Sequence, residues 1–86
     1  MLKFRVKVRK YFETEVPVEA QYCDVARDMV SKLIHKGDTD FMFDGIREDC
    51  WNYEILFVGH ASEEEFYELS RDTEVVHPDG THSWPE

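Results

Sequence analysis

Leu2-Lys3-Phe4-Arg5-Val6-Lys7-Val8-Arg9 and Glu13-Thr14-Glu15-Val16-Pro17-Val18-Glu19-Ala20 decide the fold. In the first stretch apolar residues hold every even position and bases every odd one. A period of two places the two sets on opposite faces of a strand. The second stretch keeps the parity, with Thr14, Val16, Val18 and Ala20 even and Glu13, Glu15, Pro17 and Glu19 odd. A reversal through Lys10-Tyr11-Phe12 pairs Arg9 with Glu13, Lys7 with Glu15, Arg5 with Pro17 and Lys3 with Glu19. On the other face Val8 meets Thr14, Val6 meets Val16 and Phe4 meets Val18. Opposite charges across a sheet contribute roughly 0.2–1 kcal/mol per pair. Pro17 has no N–H for a ladder, which predicts an edge position for the second strand.

The hairpin also organises the charge. The chain has 86 residues, 19 acids and 10 bases, a net charge of −9. Residues 1–10 hold five of the bases and no acid, so the remaining 76 residues set five bases against 19 acids, a net of −14. Alone, the row Lys3, Arg5, Lys7, Arg9 and Lys10 reads as a phosphate-binding stripe. The acids opposite it neutralise most of that row, and direct nucleic-acid binding is not expected.

A helix is predicted over about residues 21–36, where Tyr22, Val25, Ala26, Met29, Val30, Leu33 and Ile34 recur at steps of three and four. Lys32, His35 and Lys36 crowd its last turn, and Gly37 stops it. Phe41-Met42-Phe43 before Asp44-Gly45 reads as a short strand and turn. Ile55-Leu56-Phe57-Val58 is apolar on both faces, which predicts a central strand over Tyr53–Val58. Ser62 with Glu65 forms a capping box that opens a short helix, about 63–71, burying Phe66 and Leu69. Pro78-Asp79-Gly80 is a turn that joins Glu74–His77 to a return strand, Thr81–Trp84. The expected order is β-β-α-β-β-α-β-β, a single α+β domain spanning 1–86. Its mostly antiparallel sheet carries one long and one short helix on one side.

Several function classes drop out. No stretch approaches the 18 or so apolar residues of a membrane span. The alternating N-terminus lacks the unbroken apolar run of a signal peptide. Cys23 and Cys50 have no paired spacing, which suits two reduced thiols in the cytoplasm. Neither cysteine has a His and Asn in recognisable order, Gly-x-Ser-x-Gly is absent, and the glycines stand singly, so neither a nucleophile motif nor a phosphate loop is present. An enzyme is not expected. His77 and His82 flank the last turn, but two imidazoles are half a zinc site at most. Aligning Asp44-Gly45 on a calcium loop puts Met42 and Trp51 at ligand positions, so that match fails. No cofactor or metal is expected.

The first half resembles the DpnD/PcfM-like domain, a small family of plasmids and phages. The resemblance covers about residues 2–57. It rests on Val16-Pro17-Val18-Glu19-Ala20 closing the hairpin, Ala26 inside the helix, and Gly37 through Phe43-Asp44. It implies a mobile-element setting and carries no catalytic residues to transfer.

Two acidic groups remain as the candidate partner-binding surface. Glu63, Glu64, Glu65, Glu68 and Asp72 crowd one short helix, and Asp38, Asp40, Asp44, Glu48 and Asp49 lie in the loops. Glu64, Glu68 and Asp72 stack at steps of four, where like charges cost a few tenths of a kcal/mol per pair. Acids near the helix N-terminus recover part of that through the dipole, but Asp72 at the other end does not. Carboxylates so arranged imitate the phosphates of DNA. The expected function is an acidic binding protein that inhibits a nucleic-acid-handling host complex, as antirestriction and anti-CRISPR inhibitors do. Its partner would be a protein with a basic surface. The alternative is a small accessory subunit that docks through apolar contacts of the C-terminal hairpin and Trp84.

Overall fold

The structure, a computed structural model, describes residues 2–10, 13–38, 41–42 and 53–85. Its elements are β1 (Leu2–Arg9), β2 (Glu13–Ala20), α1 (Cys23–Lys36), β3 (Glu54–His60), α2 (Glu63–Asp72), β4 (Val75–Val76) and β5 (His82–Ser83). The five strands form one sheet in the order β3-β1-β2-β4-β5. Among the described strands only the β2–β4 pairing is parallel, at Val18↔Val76. The class is α+β with a mostly antiparallel sheet, as the sequence implies.

The first hairpin adopts the expected register throughout, from Leu2↔Ala20 to Arg9↔Glu13. Phe4, Val6 and Val8 of β1, with Val16, Val18 and Ala20 of β2, are buried on one face against Ala26, Met29, Val30, Leu33 and Ile34 of α1. Gly37 ends α1 in the left-handed region at φ 78°, and the amides of Gly37 and Asp38 donate back to Ile34 and Leu33. Glycine enters that region without the Cβ clash other residues meet. Tyr22 and Val25, expected in the apolar stripe, are 68% and 42% exposed. The five buried positions already span two turns, and Tyr22 lies before the first turn as the N-cap.

The sequence placed both helices on one side of the sheet. Instead α2 lies over the opposite face, where Lys3 Nζ sits 5.5 Å from the centre of the Phe66 ring and 3.2 Å from Glu63. The long stems of the β1 bases give that charged face enough apolar surface to carry a helix. Pro17 is fully buried on this face. Nor is β2 an edge strand, since it lies between β1 and β4. Its bridge to the two-residue β4 is at Val18, so Pro17 need not donate there.

β3 is an edge strand, not the central strand expected. Against β1, Lys7 pairs with Phe57 and Val8 with Ile55, which makes Leu56 the extra residue of a bulge. The bulge turns both Ile55 and Val58 toward the core. Leu56 and Phe57 face outward, 36% and 42% exposed. An unbroken apolar run therefore serves one buried face plus a re-phased strand. Phe41 and Met42 lie in a turn instead of the expected strand. Phe43, Asp44, Gly45 and the Tyr11-Phe12 reversal lie outside the described residues. The final hairpin turns on Gly80 at φ 87°, with its amide donating to the His77 carbonyl, 2.9 Å. No described helix is long and apolar enough to cross a membrane.

Candidate functional site

The row of bases on β1 is consumed within the fold. Lys3 pairs with Glu63 at 3.2 Å, Lys7 with Glu13 at 3.7 Å, and Arg9 with Glu54 at 2.8 Å. Arg5 lies 3.5 Å from both Glu15 and Glu65, and its guanidinium stands 5.2 Å from the centre of the Phe57 ring. The Cα register is the one the sequence predicts, but the ion pairs are not the direct cross-strand ones. Arg5–Glu15 and Lys7–Glu13 run diagonally, within reach of long side chains. Arg9 and Lys3 turn to β3 and α2 instead. Lys10 Nζ sits over the Tyr53 ring, 4.6 Å from its centre.

Two consequences follow for α2. Its first turn is locked by the expected capping box, with Glu65 N–H donating to Ser62 Oγ (3.1 Å) and Ser62 N–H donating to Glu65 (3.0 Å). Hydrogen bonding to its carboxylate, from the Ser62 backbone amide first and the Ser62 side chain second, holds the Glu65 carboxyl below its ordinary range, and the Arg5 charge adds to it. The five candidate acids of α2 therefore do not form one free group. Glu63 and Glu65 are tied to Lys3 and Arg5.

Glu64 and Glu68 point the other way, and Asp72, at the C-terminal end of the helix, lines the groove beside the first hairpin with Lys7. All three are exposed, and none forms an ion pair among the described residues. Tyr67, 65% exposed, shares this outward face. The ridge runs along the helix at about 6 Å per four residues. Beside its C-terminal end a groove of about 360 Å3 opens between α2 and the first hairpin, lined by Lys7, Glu13, Glu15, Met42, Leu69 and Asp72 among others.

The second acidic group is not visible as a group. Asp40, Asp44, Glu48 and Asp49 lie outside the described residues, as does Trp51. Asp38 is described, and its part-exposed carboxylate is taken up by His82, 2.7 Å from Nε2. Trp84 follows β5 and is 57% exposed, away from the α2 ridge in sequence but open to a partner.

Sequence reasoning missed how the C-terminal histidines are used. They are part-buried and bonded, not free hairpin residues. His77 Nδ1 lies 3.3 Å from Glu19 and its Nε2 lies 2.7 Å from Ser83 Oγ. His82 has Asp38 on one ring nitrogen and Glu74 on the other, at 2.7 and 3.3 Å, with its ring stacked on Phe41 at 4.0 Å. No spacing rule links residues 38, 74 and 82, so no local signal marked them. Among the described residues no three of His, Cys, Asp and Glu are placed to hold a metal ion. Cys23 is a free, exposed thiol, and Cys50 lies outside the described residues.

Comparison of the chain with models of protein families, with curated proteins and with solved structures gives no match.

Proposed function

We propose that this chain is a non-enzymatic binding protein that presents the outward face of α2 to a cationic protein surface. The observation that carries this reading is the row of Glu64, Glu68 and Asp72, which form no ion pair among the described residues while Glu63 and Glu65 are paired. The bases of β1 are spent on Glu13, Glu15, Glu54, Glu63 and Glu65. Like charges at four-residue steps work against the helix by a few tenths of a kcal/mol per pair, and Asp72 adds an unfavourable dipole contact. A receptor with matching Lys and Arg residues relieves both. Tyr67 on the same face supplies the aromatic anchor that interfaces favour.

Carboxylates repeating about every 6 Å along a helix present a regular row of negative charge, as the phosphates of a DNA strand do. The partner class is therefore a protein surface built to clamp nucleic acid, and the chain inhibits that partner by occupying it, in the manner of antirestriction and anti-CRISPR inhibitors. A phage or plasmid origin, which a resemblance of residues 2–57 to the DpnD/PcfM-like domain would imply, is part of the same proposal. The test is retention of bacterial lysate proteins on the immobilised chain at about 50 mM salt, followed by elution with duplex DNA or at about 200 mM salt. Wild type retains proteins that both eluants release. Glu64→Lys with Glu68→Lys and Asp72→Lys retains none of them while its circular dichroism is unchanged. Retention that ignores salt, DNA and charge reversal overturns the proposal. That outcome favours docking through the apolar hairpin, for which the exposed Trp84 is the specific observation.

A further inference from the structure

We propose that His82 is a protonation-controlled latch that holds the β4–β5 hairpin, and with it Trp84, against the body of the fold. The geometry requires a charged ring. Asp38 Oδ2 and Glu74 Oε1 lie 2.7 and 3.3 Å from the two ring nitrogens. Ionised carboxylates only accept hydrogen bonds, so both nitrogens must donate, and only the imidazolium has two N–H groups. A neutral ring leaves one nitrogen lone pair facing a carboxylate.

The attachments of this segment make that loss matter. β5 has only two residues, paired with β4, and β4 joins β2 at the single pair Val18↔Val76. His82 bridges β5 to Asp38, just past the end of α1, and to Glu74, just before β4. Its ring stacks on Phe41 with an interplanar angle of 17°, and its side chain is 19% exposed. These two acids and the Phe41 ring are what face His82 from the described elements around it. Burial disfavours the charged ring, but the hydrogen bonds and charges of Asp38 and Glu74 outweigh it, and the net effect raises the His82 pKa.

His77, on the same hairpin, is an internal contrast. It faces one carboxylate, Glu19, and one hydroxyl, Ser83. A hydroxyl rotates to donate or accept, so His77 keeps both bonds in either protonation state. The latch therefore resides in His82.

The sign follows from the raised value. The contact is fully made below the unfolded pKa of about 6.5 and is lost as pH rises through the higher folded value. The experiment is a pH titration by NMR of the intact chain, following the His82 ring protons and the Trp84 indole N–H. The His82 midpoint is expected above about 6.5, with Trp84 and the Thr81–Ser83 amides shifting on the same midpoint. Asp38→Asn moves that midpoint down, and His82→Gln removes the shared transition from the hairpin signals. A His82 midpoint at or below the free value overturns the latch. So does a hairpin that does not respond as His82 titrates, or one that responds equally in His82→Gln. The wild-type titration decides the matter even if a variant fails to fold.

Discussion

Replacing Gly59 with alanine tests whether β3 owes its local shape to the Phe57 ring. A Cβ built on Gly59 lies 2.5 Å from Phe57 Cζ, with two further ring carbons at 3.0 and 3.2 Å. The φ of Gly59 is not in the left-handed region, so alanine is compatible with the backbone and the conflict is with the ring alone. The ring must swing away from Arg5, whose guanidinium is 5.2 Å from its centre. That forfeits a part-exposed cation–π contact of about 0.5–1 kcal/mol. It also re-exposes ring carbon, at about 0.8 kcal/mol for each CH2-sized group returned to water. Against this, alanine restricts the unfolded chain and returns about 0.4–1 kcal/mol. The net expectation is a loss of roughly 0.5–1.5 kcal/mol by urea unfolding with an unchanged m-value. In a Phe57→Ala background only the unfolded-state term survives, so the same substitution stabilises by about 0.4–1 kcal/mol. The sign change across the double-mutant cycle is the decisive readout. If Gly59→Ala costs the same in both backgrounds, the ring is not what fills that space and the account of β3 is wrong.

Other substitutions probe the remaining links. Ser62→Ala removes the capping hydroxyl that binds the Glu65 amide and should cost about 1 kcal/mol in chemical denaturation. The depressed Glu65 carboxyl contributes stability that is present above the ordinary glutamate value of about 4.3 and lost as pH falls through its lower folded value. Glu65→Gln should therefore flatten the acid limb of a stability–pH curve, and an unchanged limb would remove Glu65 from the account. Glu68→Lys converts two like-charge steps on α2 into opposite-charge ones, against one new like-charge step to Arg71, and should raise stability by a few tenths of a kcal/mol while weakening partner retention. A fall in stability would show that the ridge is already compensated. Leu33→Ala, at a position 2% exposed in the core, should cost about 2–5 kcal/mol on the same denaturation assay.

What the sequence revealed, and what it hid, divides along the range of the interactions. The β1–β2 register was legible because parity fixes it. A slip of one residue would turn Val6 and Val16 out of the core and set Lys7 among apolar side chains. Gly37, the capping box of Ser62 and Glu65, and the Pro78-Asp79-Gly80 turn were legible because each is satisfied within a few residues. β3 misled because an unbroken apolar run has two physical solutions, a strand buried on both faces or an edge strand with a bulge. Only the pairing with β1 distinguishes them. The position of α2 misled for a related reason. A row of bases looks like a face that belongs in water, yet Lys3 spans its ammonium to Glu63 while its stem lies near the Phe66 ring. The His82 cluster was invisible, because its three partners are brought together by the whole fold.

The same division separates structural from available charge, and the surface proposal depends on it. Counting acids in α2 gives five equivalent carboxylates. The fold sorts them by direction. Those at positions 63 and 65 meet the ammonium of Lys3 and the guanidinium of Arg5 and help carry the helix across the sheet. Those at 64 and 68 lie on the face turned from the sheet, beside the exposed Arg71, and that at 72 lies at the rim of the groove; none of the three forms an ion pair among the described residues. Reversing charge at 63 and 65 should therefore unseat α2 and lower stability, because it sets like charges against Lys3 and Arg5. Reversing it at 64, 68 and 72 should leave the fold intact and act on binding alone. Equal loss of stability in both sets would mean the helix holds all five acids in one structural role, and the ridge would have nothing left to offer a partner.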